Sequence, residues 1–420
     1  MHQLDVWLFS NFVGNLMFNN GKLSFTYATQ WLDNPNAQPI SCSLPLQTDT
    51  FDELIARPFF AGLLPEGQMR ELLAKQYRIS NQNDFALLDE IGGECAGAVT
   101  FVKVGVTPTL TTSDSPNIYW LNDSELTSTL EELPRRPMLA GSEDIRLSLA
   151  GAQSKLPIVF DGNRVGIAKN NAPSTHILKP AIGSIADSVT NEAYCMRLAK
   201  AININTAAVS VHRVKDIECL VVERYDRMAA TNVVTRIHQE DFCQALAVPP
   251  ETKYQNEGGP DFAQCFTLLR TATKPSAVHV LTLIDAAFFN VLIGNNDAHG
   301  KNFSLLYNAN HPTLAPLYDI LSTAIYPEFS DKMAMKIGSK YNFDQLFPRH
   351  WSQFSQAANI NEALLKKRLR KLVSNLPDKA CELQRKTDDI NFKKPIVSSI
   401  ITVIEDRCET ILARFANSPE

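Results

Sequence analysis

The chain has 420 residues, too many for one ordinary hydrophobic core, so two or three domains or lobes are expected. Apolar residues make up 45% and charged residues 20%, a globular balance rather than a disordered one. A formal net charge of −5 argues against a nonspecific nucleic-acid coat and leaves room for a local basic patch. The opening Met-His-Gln-Leu-Asp-Val-Trp-Leu has no basic region and no long apolar run, so no secretory signal is expected. The longest apolar stretch, 281–293, contains Thr282, Asp285 and Asn290, so no membrane span is expected either. The eight cysteines are scattered without a CxxC pair or a Cys/His cluster. They read as free thiols in a reducing cytosol rather than as a zinc site.

In chain order, β-rich runs at 4–9 and 23–27 flank the turn signal Asn19-Asn20-Gly21. Helical spacing over 58–77 (Phe59, Leu63, Met69, Leu72, Leu73) is cut by Pro65-Glu66-Gly67, which predicts two short helices. A further helix at 83–91 leads through Gly92-Gly93 to an apolar strand at 98–102. That completes a small α+β region, 1–106. The Thr-, Ser- and Pro-rich stretch 107–116 is the linker. Region 119–226 is mixed, with a helix at 123–132 and strands at 156–160, 165–168, 176–179, 209–214 and 219–223. One helix, 190–201, sits among them. In region 227–420 helices are expected at 239–247, 261–271, 275–294, 346–357, 360–374 and 393–415, with a strand pair at 303–307 and 314–318. The whole is α+β: a strand-rich lobe, then a helical lobe, the layout of an atypical, bilobal protein kinase. Layout alone does not give activity.

The chemistry concentrates where the predicted helix 275–294 runs into Asn-Asn-Asp-Ala-His-Gly-Lys-Asn. Asp297 is followed five positions later by Asn302, and Asp319 lies seventeen beyond that. In this order kinases supply a carboxylate that orients the attacking hydroxyl, then two Mg²⁺ ligands. A Gly/Asn-rich turn would also explain the stretch. His299 either orients Asp297 or is a structural histidine, and Lys301 is placed to meet a transferred phosphoryl group.

Upstream, Leu147–Lys155 is built of small residues ahead of a strand. The backbone of Ala150, Gly151, Ala152 and Gln153 can approach phosphate closely, with Lys155 adding charge. A surface loop with a solvated lysine fits the same residues. Lys179 ends a strand and Glu192 lies on the next helix, the order of a phosphate-binding lysine and its supporting acid. The strand 219–223 leaves into Glu223-Arg224-Tyr225-Asp226-Arg227. There the backbone of 223–225 can meet an adenine edge and Asp226 a ribose, unless these charges form a surface cluster worth little energy. Finally Lys366, Lys367, Arg368, Arg370 and Lys371 crowd a predicted helix whose apolar face carries Leu365, Leu369 and Leu372. They form a solvated face or contact nucleic-acid phosphates.

Several of these segments together resemble the HipA family of toxin serine/threonine kinases. They are 147–155, Ser174-Thr175-His176-Ile177-Leu178-Lys179-Pro180, Asn191-Glu192-Ala193-Tyr194-Cys195-Met196 and Glu223-Arg224-Tyr225-Asp226-Arg227. To these add His238-Gln239-Glu240-Asp241-Phe242-Cys243-Gln244, Lys253-Tyr254 through Gly258-Gly259-Pro260, Asn296–Ser304 and Tyr318-Asp319-Ile320. The resemblance runs from the first strands to the C-terminal helices.

What it implies is the toxin of a bacterial type II toxin–antitoxin pair, an ATP- and Mg²⁺-dependent kinase of a protein serine. In characterised members the substrate is glutamyl-tRNA synthetase, and its modification arrests growth in a persister-like state. By position, Asp297 is the catalytic residue, Asn302 and Asp319 are the Mg²⁺ ligands, and Lys179 contacts phosphate. Glu223, Tyr225 and Asp226 belong to the nucleotide hinge and ribose site. Ser148 matches the family's autophosphorylated serine, with Ser154 a second hydroxyl in the same loop. The implied partner is a HipB-like helix-turn-helix antitoxin dimer on operator DNA, in the cytoplasm, with no membrane role. There is no HRD before Asp297 and no DFG at Asp319, unlike an ordinary eukaryotic-type kinase. The competing functions are a small-molecule phosphotransferase with the same Asp…Asn…Asp set and a catalytically idle corepressor.

Overall fold

The computed structural model describes residues 2–108, 118–142, 145–169, 172–230, 233–308, 311–386 and 389–417. The linker expected at 107–116 lies outside them except for its first two residues. The chain forms two compact units: Met1–Pro180, His212–Glu251 and Ser304–Asn310 make one, and Ala181–Val211, Thr252–Phe303 and His311–Glu420 the other. Elements are numbered in chain order across both.

The first unit opens with β1 (His2–Leu8), β2 (Asn11–Asn19) and β3 (Lys22–Tyr27), and β4 (Val99–Lys103) pairs on the free side of β1. The antiparallel order is β3-β2-β1-β4, with β2 filling the stretch between the two expected strands. Period-two alternation turns Leu4, Val6 and Leu8 into a core with Leu23 and Phe25. Around it lie α1 (Thr29–Leu32), α2 (Glu53–Gly62), α3 (Gly67–Tyr77) and α4 (Asp84–Ile91). Asp52 caps α2 by accepting the Leu54 and Ile55 amides, and the Pro65-Glu66-Gly67 break separates α2 from α3 as expected.

The same unit holds a second sheet of β5 (Ile118–Trp120), β6 (Leu156–Phe160), β7 (Val165–Ala168), β8 (His176–Pro180), β9 (Val209–Val214) and β10 (Ile217–Glu223), in the order β5-β7-β6-β8-β10-β9. Helix α5 (Asp123–Glu132), started by an Asn122/Glu125 capping box, buries Leu126 and Leu130 with Leu156, Ile158, Leu178 and Val221 of that sheet. A hairpin, β11 (Arg227–Ala230) and β12 (Val233–Arg236), follows where no strand is expected from periodicity. The helix expected at 239–247 shrinks to its middle, because its first three residues belong to a strand. Here β13 (His238–Asp241) pairs with β14 (Ser304–Tyr307), and only α7 (Phe242–Ala245) follows, capped by Asp241.

The second unit is built of α6 (Ser188–Ala201), α8 (Phe262–Ala272), α9 (Ser276–Ile293), α10 (Pro348–Ala357), α11 (Glu362–Lys386) and α12 (Pro395–Ala416). It is not wholly helical, since Lys332–Ile337 is a strand. By length and composition α9 would cross a membrane, with a mean hydropathy of 1.8. Instead α8, α11 and α12 pack on it, and most of its residues are buried, which makes it the core helix of the unit. Helix α11 continues past 374 to Lys386, through Pro377, because Leu365, Leu369, Val373, Leu376 and Ala380 extend one buried stripe. Leu372, expected on that stripe, is only half-buried.

Candidate active site

The second unit carries the Asp…Asn…Asp set. Helix α9 stops at Gly294, whose φ of 73° is left-handed and whose missing Cβ would sit 2.6 Å from the Ala324 Cβ. The Gly294 carbonyl accepts the amides of Thr323 and Ala324, both at 2.9 Å, and so ties the start of the polar loop to the segment after Asp319. Asn295 folds back on Asn290, and its Oδ1 accepts the Asp297 N–H at 3.1 Å. The Asn296 N–H donates to Thr323 Oγ1 at 2.8 Å and its carbonyl accepts the Ala334 N–H at 2.8 Å. Asp297 thus leaves a loop fixed on both sides, and it is exposed.

Beyond it the His299 N–H donates to the Asp297 carbonyl at 2.9 Å and to Asn302 Oδ1 at 3.1 Å, as the chain makes one tight turn over Gly300–Asn302. Asn302 Nδ2 then reaches Asp319 Oδ2 at 3.4 Å, so the structure brings these two together across seventeen residues. Asp319 is in the left-handed region (φ 58°), a conformation that costs a non-glycine energy and must be held by its surroundings. The Leu317 N–H donates to Asn205 and the Ala207 N–H donates to Leu317, both at 2.9 Å, and the Tyr318 hydroxyl donates to the Lys301 carbonyl. On the far side, Asn191 of α6 donates to the Ser322 carbonyl and accepts its N–H.

Two contributors escaped the sequence. Asn191 was visible only as the neighbour of Glu192, which is buried in the same helix. Tyr254 donates its hydroxyl to Asp297 Oδ1 at 2.5 Å, and its ring meets His299 edge-on, centroids 5.1 Å apart. Its only signal was the Lys253-Tyr254…Gly258-Gly259-Pro260 segment. His299 and Lys301 are both buried.

In the first unit, the small-residue loop is docked rather than free. The Ser148 N–H donates to the Glu94 carbonyl at 2.9 Å, Glu66 donates its N–H to the Gly151 carbonyl at 3.2 Å, and Lys155 Nζ donates to the Ala150 carbonyl at 2.5 Å. Gly151 has φ 105°, and a Cβ there would lie 2.7 Å from Lys155 Nζ. Ala152 is exposed, whereas Gln153 and Lys155 are half-buried and Lys179 is buried on β8. Ser148, the expected modification site, is fully buried and donates to the Leu63 carbonyl at 2.8 Å. The other loop hydroxyl, Ser154, is half-buried and faces Met69 Sδ at 3.4 Å.

At the hinge, Glu223 is exposed and Tyr225 half-buried, but Asp226 is neither a ribose-facing group nor part of a surface cluster. It is 3% exposed, and its carboxylate accepts from Arg224 (2.9 and 2.8 Å), Arg227 (2.8 Å) and the Gly97 N–H (2.7 Å). Glu94 accepts from the same two arginines and from Ser174, all at 3.0 Å. Burial alone would raise both carboxyls, yet Arg224 and Arg227 outweigh it and hold them below the ordinary range. With both oxygens of Asp226 committed, this network fastens β10 and β11 to the loop before β4, which is a structural role.

The basic helix is α11. Arg368 pairs with Asp285, Lys366 with Glu362 at 2.6 Å, and Arg370 lies over the Phe415 ring, while Lys367, Arg370 and Lys371 are exposed.

A left-handed aspartate joined to an asparagine beside an exposed aspartate, on a helical unit, with a strand-rich unit carrying a buried lysine, defines an atypical, kinase-like α+β protein. Residues 4–102 match the HipA N-terminal domain and 147–380 the HipA-like C-terminal domain; the chain belongs to the HipA family of serine/threonine kinase toxins. It is 41% identical to Y4mE of Sinorhizobium fredii over 97% of this chain and 98% of that one. It is 29% identical to the serine/threonine-protein kinase toxin HipA of Shewanella oneidensis, over 90% and 89% of the two. The solved Shewanella oneidensis HipA, in complex with HipB and its operator DNA, superposes with a TM-score of 0.84 at 28% identity, covering 98% of this chain and 97% of that one.

Proposed function

We propose that this chain is an ATP- and Mg²⁺-dependent protein serine/threonine kinase that acts as a growth-arresting toxin. The observation that carries the reading is the Asn302–Asp319 contact beside the exposed Asp297. Asp297 accepts the hydrogen bond of an incoming serine hydroxyl and aims it, taking up its proton as the serine oxygen bonds the γ-phosphorus of ATP and the bond from that phosphorus to the departing ADP breaks. Among the described residues no group of three or more His, Cys, Asp or Glu is assembled into a metal cage. Two oxygen donors, Asp319 and Asn302, suit Mg²⁺, which keeps waters and phosphate oxygens in its remaining positions. The Asn302 oxygen already accepts from His299, but a carbonyl has a second lone pair for a cation. When bound, the metal neutralises charge on the phosphates. Lys179, Lys155, Lys301 and the backbone of Ala150–Gln153 supply further phosphate contacts, and Glu223 and Tyr225 line the adenine side. By their order in the sequence, Lys179 and Glu192 are the proposed phosphate-binding lysine and its supporting acid. The division of labour follows the regions 1–106, 119–226 and 227–420.

The relatives extend the proposal. A HipA that crystallises with HipB and operator DNA supports a HipB-like antitoxin dimer as the partner here, in the cytoplasm, with Lys367, Arg370 and Lys371 the charges left to meet phosphate. The proposed substrate is a serine of glutamyl-tRNA synthetase. Ser148 is the proposed autophosphorylation site; since its hydroxyl is buried against Leu63, modification requires the loop to leave, which switches the kinase off.

The test is phosphoproteomics of cells briefly expressing the chain, against an Asp297→Ala control. A new phosphoserine on a translation protein, absent with the control, supports the kinase. A label found only on small molecules points to the phosphotransferase, and an Asp297→Ala chain that remains toxic points to the idle corepressor.

A further inference from the structure

We propose that Tyr254 is a positioning residue for phosphoryl transfer, its hydroxyl holding the Asp297 carboxylate in the one orientation that meets the acceptor hydroxyl. The inference rests on the kinase reading above and gives a role to a residue that the resemblance carried only as part of a segment.

A tyrosine that merely drifted onto an exposed aspartate would come from a loose loop. Tyr254 comes from a built one. Its carbonyl accepts two amides, Glu257 at 2.9 Å and Gly259 at 2.8 Å, which closes the chain on itself. Gly258 turns it with φ 105°, and a Cβ on Gly259 would lie 2.5 Å from the Lys253 carbonyl oxygen, so both glycines are needed. Gln255 anchors the turn from the other side, its Oε1 accepting the Lys336 N–H at 2.7 Å. Tyr254 is therefore aimed by backbone geometry, and the aim is twofold: hydroxyl to Asp297 Oδ1 at 2.5 Å, ring edge-on to His299 at 86°.

The chemistry follows from Asp297 being exposed. An exposed aspartate samples several χ1 and χ2 states, and a catalytic carboxylate must meet the acceptor in one of them. A phenol is a neutral donor that binds the ionised carboxylate strongly without neutralising it, so Oδ1 is oriented while the carboxylate stays a base. The ring contact fixes the phenol in turn, since His299 sits in the same tight turn as Asn302.

The experiment uses the full chain, Mg²⁺-ATP and a serine acceptor identified by the phosphoproteomic test, with Tyr254→Phe, Tyr254→Ala and Asp297→Asn compared. Tyr254→Phe keeps the ring on His299 and removes only the hydroxyl. The expected result is a kcat loss of roughly tenfold in Tyr254→Phe, most of the loss seen in Tyr254→Ala, with KM for ATP and the melting temperature unchanged. A silent Tyr254→Phe beside an impaired Tyr254→Ala makes the residue a packing element and overturns the inference. A higher kcat in Tyr254→Phe overturns it too, because the phenol would then be occupying the acceptor's place. Asp297→Asn separates the two levels: if it transfers phosphate as well as wild type, the kinase reading fails, and if it is dead while Tyr254→Phe is normal, only the role of Tyr254 fails.

Discussion

Asn191 and Ser322 exchange two hydrogen bonds, the Asn191 amide donating to the Ser322 carbonyl and the Ser322 N–H donating to Asn191 Oδ1, each at 2.8 Å. Both residues are fully buried, and the Asn191 amide also reaches the Tyr326 hydroxyl at 3.1 Å. A side chain of α6 thus does what a neighbouring strand would do for the backbone that follows Asp319. Replacing it with alanine leaves a buried N–H and carbonyl unsatisfied, each worth roughly 1–3 kcal/mol. Asn191→Ala is expected to lower stability by about 2–4 kcal/mol in denaturant titration. It should also reduce phosphoryl transfer at temperatures where the variant is still folded. Loss of stability with full activity would show that Asp319 is held without this clamp.

The Glu94–Arg224–Asp226–Arg227 network predicts a different kind of failure. Removing one member of a buried ion pair strands charge, at roughly 3–5 kcal/mol. Glu94→Leu should therefore destabilise the chain by that order in guanidinium-free urea melts. The Glu94 and Asp226 carboxyls are held low by the arginines, so their contribution is full above the unfolded carboxylate range and is lost as pH falls below it. A near-neutral Glu94→Leu would mean that the network is not a fastening.

His238 gives a pH signature of opposite origin. Burial pushes it down to about 4, its Nε2 bonds the Ile40 carbonyl at 2.8 Å, and it stays neutral in the folded chain. The unfolded chain binds the proton near pH 6.5, so stability falls as pH drops from about 6.5 toward 4, by at most about 1.4 kcal/mol per unit. His238→Gln should flatten that part of the stability-versus-pH curve relative to wild type. An unchanged slope would place the proton elsewhere.

Metal dependence tests Asp319. Mg²⁺-ATP should raise the melting temperature of the wild-type chain through mass action, and EDTA should remove most of the gain. Asp319→Asn is expected to lose the metal-dependent part and keep its folding. An equal shift in Asp319→Asn would remove Asp319 from the metal site.

For the basic face of α11, Lys367→Glu with Lys371→Glu should weaken operator binding by the chain–antitoxin complex and flatten its salt dependence. Arg368 is a poorer probe because it already pairs with Asp285. Unchanged salt dependence would leave α11 a solvated face.

Local order was legible wherever periodicity and punctuation agreed. The run of α9 into a polar turn, the α2–α3 break at Pro65 and the strands β6, β7 and β8 were all readable. The residues His238–Asp241 carry no strand signal of their own and became β13 only by pairing with β14, more than sixty positions away. Asp226 looked like a ligand contact because it follows a strand; only the fold brings Glu94 and Gly97, about 130 positions earlier, to cover it. The spacing of Asp297, Asn302 and Asp319 was visible because it is local, and the structure joins the last two. Tyr254, forty-three positions from Asp297, was not, because its aim is set by a closed turn and not by any periodicity.

Kinase activity is tested most directly by transfer of labelled phosphate from ATP to purified glutamyl-tRNA synthetase by the wild-type chain and by Asp297→Asn, in Mg²⁺ and in EDTA. The expected result is a phosphoserine on the synthetase with wild type in Mg²⁺ and at most a trace in the other three arms. Equal labelling by Asp297→Asn, or labelling that survives EDTA, would contradict it.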